Sequence, residues 1–184
     1  MGRPGGRQHV SAWRENIESL VWAVGLALVI RTFIMAPFKI PSGSMRPTLI
    51  EGDRILVNKF IYRFHGPQRG DIIVFRYPDD PKRPFIKRLV GVGGDTVEIR
   101  AGQVWVNGSP LDGGGIFTRN QYYNQGIYGQ EGQAIQVPAE SFFVLGDNSL
   151  SSHDSRFWGF VPKRLLIGRA MCIFWPLTRW RALR

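Results

Sequence analysis

Residues 85–108 read "FIKRLVGVGGDTVEIRAGQVWVNG". Short runs rich in Val, Ile and Phe alternate with breaks that carry Gly, Asp or Asn, the pattern of strands joined by tight turns. Phe85–Gly91, Asp95–Arg100 and Gln103–Gly108 are the runs, and Asn107-Gly108 suits the left-handed backbone of a two-residue hairpin. The same punctuation continues outward in "RILVNKF" (54–60), "DIIVFRY" (71–77), "SFFVLG" (141–146) and "LLIGRAMCIFW" (165–175). No helical period of any length follows Phe38. Between Leu111 and Gln133 a Gly- and Tyr-rich stretch reads as a flexible loop or a small insertion between strands. The expectation is one all-β domain covering 37–184.

The front of the chain is different. Residues 17–35 read "IESLVWAVGLALVIRTFIM", with an uninterrupted apolar run from Leu20 to Ile30. A bilayer needs about 20 residues of helix. Glu18 falls at one end, and Arg31 near the other can snorkel toward headgroups. The segment 17–36 therefore reads as a single membrane-spanning anchor behind a basic N-terminus, 1–16. A buried core helix is the alternative. A cleaved targeting peptide fits poorly, since a cut after Ala36 would put bulky Ile34 three positions back and Pro37 just beyond. Arg3, Arg7 and Arg14 precede the span and Arg31, Lys39 and Arg46 follow it, so charge leaves its orientation open.

The 184 residues carry a formal net charge of +10, which suits an anionic partner, either nucleic acid or an acidic membrane surface. Cys172 is the single cysteine and rules out an intrachain disulfide. It sits in an apolar run, as core residues do. His9, His65 and His153 lack metal-ligand spacing, so no metal site is expected. Val161–Arg184 holds six basic residues, no acidic ones, and Trp175 and Trp180. It reads as a membrane-interface segment or as a solvated basic tail.

Residues 40–49, "IPSGSMRPTL", set two serines around a glycine between prolines. A serine hydroxyl needs a base before it can act as a nucleophile. His153 lies beside Asp154, but neighbours in an extended chain point opposite ways, which disfavours a Ser–His–Asp triad. Lys87 is the other candidate. In a strand it shares one face with Phe85 and Leu89, and desolvation there lowers its pKa from the free value of about 10.4. Arg88 cannot serve, because a guanidinium does not lose its proton. By spacing alone, a lysine in a strand more often snorkels to solvent than acts as a base.

"IPSGSMRPTL", "GDIIVF" (70–75), "IKRLVGVGGD" (86–95) and "GDNSLSSHDSRFWGFVP" (146–162), in this order behind an N-terminal span, resemble bacterial type I signal peptidase. The resemblance covers nearly everything from Arg31 to Arg169. It implies a membrane-bound Ser–Lys protease with an all-β catalytic domain on the outer side of the cytoplasmic membrane. Such an enzyme removes signal peptides from exported preproteins through an acyl-enzyme, and prefers small residues at the first and third positions before the cut. It implies secretory preproteins and membrane lipids as partners, no nucleic acid, and no cofactor. Carried over by position, it makes Ser44 the nucleophile and Lys87 the general base. Ser42 and the Ser44 amide become the oxyanion donors, and Ser152 the hydroxyl that orients the lysine. Asp154 and Arg156 become the supporting charged pair, and Met45 the residue after the nucleophile. Two positions depart from the family pattern. Gly93 stands where proline is common. Ser149-Leu150-Ser151 stands where Arg-Asp-Asn is common, which removes a charged pair beside the site while Ser152, Asp154 and Arg156 stay in register.

Overall fold

A computed structural model describes residues 8–29, 34–112 and 115–183. Helix α1 (Gln8–Val29) leads into β1 (Met35–Lys39), β2 (Arg54–Asn58), β3 (Ile72–Arg76) and β4 (Pro84–Val92). Next come β5 (Thr96–Arg100), β6 (Gln103–Val106), β7 (Ser109–Pro110), the short helix α2 (Ile116–Arg119), β8 (Ile135–Gln136) and β9 (Ser141–Leu145). The chain closes with the single-turn helix α3 (Ser155–Trp158), β10 (Val161–Pro162), β11 (Leu166–Trp175) and β12 (Arg181–Ala182). The seven strand runs read from sequence all form strands.

Two antiparallel sheets result. The larger has the order β1-β2-β11-β3-β4-β9-β10, with β12 added on β11, and the smaller has the order β7-β6-β5-β8. Alternation along β3 divides the large sheet's cores. Ile72 and Val74 join Ile55, Val57, Met45 and Leu49 on one side, while Ile73 and Phe75 join Leu89 and Val144 on the other. The first cluster buries the turn that follows Pro41, because Met45 and Leu49 are its pegs. Gly91 allows the sheets to meet, since a Cβ there would stand 2.6 Å from Val97. Asn107 and Gly108 both take positive φ, 54° and 78°, as the hairpin reading requires.

The 111–133 stretch is an insertion between β7 and β8, and its described residues are anchored to the domain. Phe117 and Tyr122 are buried in the small sheet's core. Burial of two large aromatics outweighs the glycines around them.

The expected anchor is changed at its end. Met35 and Ala36 pair with Asn58 and Val57 and so open β1, where backbone hydrogen bonds hold them in the sheet. Residues 30–33 lie outside the described residues. Among the described residues no helix is long and apolar enough to cross a membrane. The apolar part of α1, Leu20–Val29, covers only about 15 Å at 1.5 Å per residue. Its side chains are nonetheless largely exposed: Leu20, Trp22, Leu26 and Val29 are all more than half exposed.

Candidate active site

The nucleophile candidate sits in a single 3-10 turn, Gly43–Met45, entered from the extended Ser42. Buried Met45 fixes the turn from below and leaves Ser44 at its top, 8% exposed. Asn148 fixes it from the side. Its backbone N–H donates to the Ser44 carbonyl at 3.0 Å, and its side-chain amide donates to the Gly43 carbonyl at 3.1 Å. Ser42 is exposed, and its hydroxyl makes no capping bond to the turn.

Lys87 reaches the turn from β4, where it pairs with Ile73. Its Nζ lies 2.6 Å from Ser44 Oγ, and the side chain is 4% exposed. As the alternation suggested, it shares a face with Phe85, whose ring centroid lies 5.9 Å from Nζ. No carboxylate forms an ion pair with it among the described residues. Burial pushes the Lys87 pKa down to about 8; the charges of Asp154 and Asp147 act against this and that of Arg156 adds to it. An amine with that value has roughly one molecule in ten neutral at pH 7. Such an amine can accept the proton of the hydroxyl it touches.

The neighbouring Arg88 points to the other face of β4. Its guanidinium makes a two-pronged pair with Asp147 at 2.7 Å on each prong and donates to the Gly70 carbonyl. Thr48 also donates to Asp147. "GDN" at 146–148 is thus the clamp of the site: Asp147 binds Arg88 and Thr48, and Asn148 binds the nucleophile turn. Sequence reasoning did not assign Asp147, Asn148, Thr48 or this role of Arg88. An Arg inside an apolar strand and an Asp directly after another signalled two buried charges in need of each other.

Asp154 and Arg156 are both fully buried and paired at 2.8 Å. Asp154 also accepts from the Gly146 amide, which ties the pair to the clamp. Arg156 donates to Ser149 Oγ, the Ser149 carbonyl and the Tyr123 carbonyl. Ser149, one of the departures from the family pattern, therefore holds this loop by hydrogen bonds.

Ser152 stands apart from its expected role. It is buried beside the site, and a Cβ on Gly146 would run into both Ser152 and the Ser44 carbonyl. Yet its Oγ makes no hydrogen bond among the described residues, to Lys87 or to any other group. The Lys87 ammonium is instead engaged by Ser44. The triad is not assembled either. Asp154 faces inward to Arg156, while His153 is exposed against Tyr77, whose hydroxyl lies 3.3 Å from its Nε2.

Ser42, Ser44 and Lys87 open on a cleft of about 620 Å³, bordered by Pro41 on one wall and Pro84–Ile86 on the other. A small apolar hollow of about 70 Å³ adjoins it, formed by Phe38, Ile40, Val74 and Ile86 among others. The Pro84–Ile86 wall is a strand edge, and β1 ends at Lys39, just before the Pro41 wall. Among the described residues β1 pairs only with β2, and β4 from Pro84 to Lys87 pairs only with β3, because β9 joins β4 from Arg88 onward.

Residues 13–175 match the family model for signal peptidase, peptidase S26. The chain is 45% identical over 172 residues to a signal peptidase I from Leptolyngbya laminosa, covering 90% of this chain and 81% of that protein. It is 43% identical over 174 residues to a probable signal peptidase I-1 from Synechocystis, covering 91% of this chain and 85% of that protein. A signal peptidase I crystal structure from Enterococcus faecalis V583 overlays with a TM-score of 0.44 at 34% identity, covering 56% of this chain and 95% of that one. The extent of the family match and the identity to these relatives place the chain among the S26 signal peptidases, a family of serine endopeptidases.

Proposed function

We propose that Ser44 and Lys87 carry out signal-peptide removal from secretory preproteins, with Ser44 as nucleophile and neutral Lys87 as general base. The observation that carries this reading is the buried Nζ, without an ion-pair partner among the described residues, 2.6 Å from a buried hydroxyl. Neutral Lys87 takes the Ser44 proton as Oγ attacks the scissile carbonyl. Ser42 Oγ–H and the Ser44 N–H meet the oxyanion, one such donor being worth about 3–4 kcal/mol in the transition state. The resulting ammonium protonates the leaving amine as the C–N bond breaks. Water then attacks the acyl-enzyme, giving its proton to Lys87, and Ser44 is released. Ser152, buried beside the site with a hydroxyl that makes no hydrogen bond among the described residues, is assigned to orient Lys87 once substrate is bound. Asp154 and Arg156 support the loop that carries it.

The substrate backbone lies extended between the free edges of β1 and β4 and adds its hydrogen bonds to both. The small hollow beside Ile86 and Phe38 favours short side chains before the cut and excludes long ones.

The apolar segment that includes the later part of α1 and residues 30–33 anchors the chain in the cytoplasmic membrane, with the β domain on the outer side. Exposed Leu20, Trp22, Leu26 and Val29 support this, since apolar side chains exposed on all sides of a helix suit lipid. Confining enzyme and signal peptide to one surface raises their effective concentration.

Ser44→Ala and Lys87→Ala should each abolish cleavage of a secretory precursor while the chain still floats with lipid vesicles. Substantial cleavage by either variant would sink the dyad.

A further inference from the structure

Lys59, Arg76 and Arg164 line a concavity of about 550 Å³, separate from the catalytic cleft, with the apolar run Leu165–Ile167 on its wall. No carboxylate lines it. Arg76 and Arg164 enter no ion pair among the described residues. The carboxylates on adjoining segments do not line the hollow and make their contacts elsewhere. Asp79 accepts from the Tyr77 hydroxyl, Asp80 from the Lys82 amide, and Glu140 pairs with Lys163. Arg76 and Arg164, without an ion pair among the described residues, and Lys59 on the same lining give the hollow a local positive potential that an anion relieves.

The place of the hollow says which anion. β2 ends, β11 begins and β3 ends at this rim of the sheet, the same rim at which β1 starts. The Lys59 N–H donates to the Ile34 carbonyl at 2.9 Å. The hollow therefore lies where the chain coming from the apolar helix enters the β domain. Phe64, on the turn that follows Lys59, is 67% exposed. A cationic hollow with an apolar wall, next to a membrane tether and an exposed aromatic, matches a lipid headgroup joined to its acyl chains.

We propose that Lys59, Arg76 and Arg164 bind the phosphate of an anionic membrane lipid and thereby fix how the β domain sits over the bilayer. The proposal rests on reading the apolar segment as a membrane anchor. The two guanidinium forks suit phosphate oxygens, and Lys59 adds a point charge. The lipid here is a bound partner and takes no part in the peptide cleavage.

The test uses the full chain in vesicles of phosphatidylcholine, with and without phosphatidylglycerol, and reads amide hydrogen exchange over 58–60, 76–82 and 164–168. Protection should appear only with phosphatidylglycerol and weaken at high salt. Each arginine removed should cost roughly fivefold, so Arg76→Gln with Arg164→Gln should lose on the order of 25-fold of that protection. Glycerol phosphate added to detergent-solubilised protein separates the sources. Protection by it assigns the phosphate group itself as sufficient, and protection by phosphatidylglycerol alone assigns the bilayer lipid. Equal exchange in both vesicle types, or protection that survives in the double variant, overturns the proposal. Flotation with phosphatidylcholine vesicles tests the anchor on its own. A chain that floats without protection keeps the anchor and loses the headgroup site. A chain that fails to float but shows arginine-dependent protection does the reverse.

Discussion

Replacing Lys87 with Met should destroy activity and at the same time stabilise the fold at neutral pH. The lysine is 4% exposed, and its pKa falls from 10.5 to about 8 on folding. Between those two values the unfolded chain binds a proton that the folded chain does not, so stability rises with pH across that window. Below pH 8 the folded protein carries the full cost of keeping the amine dry. A tenfold change in proton affinity corresponds to about 1.4 kcal/mol, which makes the cost about 3 kcal/mol at pH 7. It shrinks to well under 1 kcal/mol at pH 10.5 and vanishes above that. Met has similar length, fills the space beside Phe85 and titrates nowhere in the range. Loss of the Ser44 hydrogen bond takes back about 1 kcal/mol, leaving a net gain of roughly 2 kcal/mol at pH 7.

Urea unfolding of both proteins in detergent, at pH 7 and at pH 10.5, reads this directly. Lys87→Met should unfold at higher urea at pH 7, and the advantage should disappear by pH 10.5. Activity of the unchanged enzyme should rise tenfold per pH unit between 6 and 7 and level off above about 8, since only the neutral amine serves as base. A variant that is equally or less stable at pH 7, or a gain that does not depend on pH, would refute the buried neutral amine as the source of catalysis.

Ser42→Ala should lower kcat by about 10²–10³ with little change in KM, as expected for one oxyanion donor, measured in steady-state precursor cleavage. Asn148→Ala removes the hydrogen bond that the side-chain amide donates to the Gly43 carbonyl and should lower kcat while the unfolding free energy changes by only about 1 kcal/mol. Asp147→Ala leaves Arg88 buried without its carboxylate and should cost about 3–5 kcal/mol of stability in the same assay. Gly146→Ala should abolish cleavage, because its Cβ would run into Ser152 and the Ser44 carbonyl; activity near that of the unchanged enzyme would mean the loop is looser than its packing implies.

The large strands were legible because their apolar residues repeat with a period the eye can follow. β7, β8, β10 and β12 were not, because two residues carry no period. β1 was hidden for another reason: Met35 and Ala36 satisfy a bilayer and a sheet equally well, and only pairing with Asn58 and Val57 decides between them. The face that Lys87 shares with Phe85 was readable from the alternation, whereas its assignment as the base came from the family resemblance. The clamp was not, since Asn148 acts on a turn 105 positions earlier in the chain, and no local pattern announces such a reach. Ser149 looked like the loss of a charged pair from the family pattern. In the structure its small hydroxyl meets Arg156 at 2.7 Å and also accepts from the Tyr123 amide.

The incomplete sheet resolves a conflict built into the proposed chemistry. A lysine must be dry to be neutral, yet its partner hydroxyl must be open to a polypeptide. Lys87 is covered on its β3 side by a paired strand and from below by the buried Met45 turn. The side toward the substrate is a strand edge left free from Pro84 to Lys87, facing the free edge of β1. An incoming chain that pairs with these edges supplies the missing strand. It removes the remaining water from the amine at the moment its own carbonyl arrives at Ser44, so the step that binds substrate also favours the neutral base. A fully paired sheet would bury the lysine and leave no place for the peptide; a fully open one would admit the peptide and leave the amine charged.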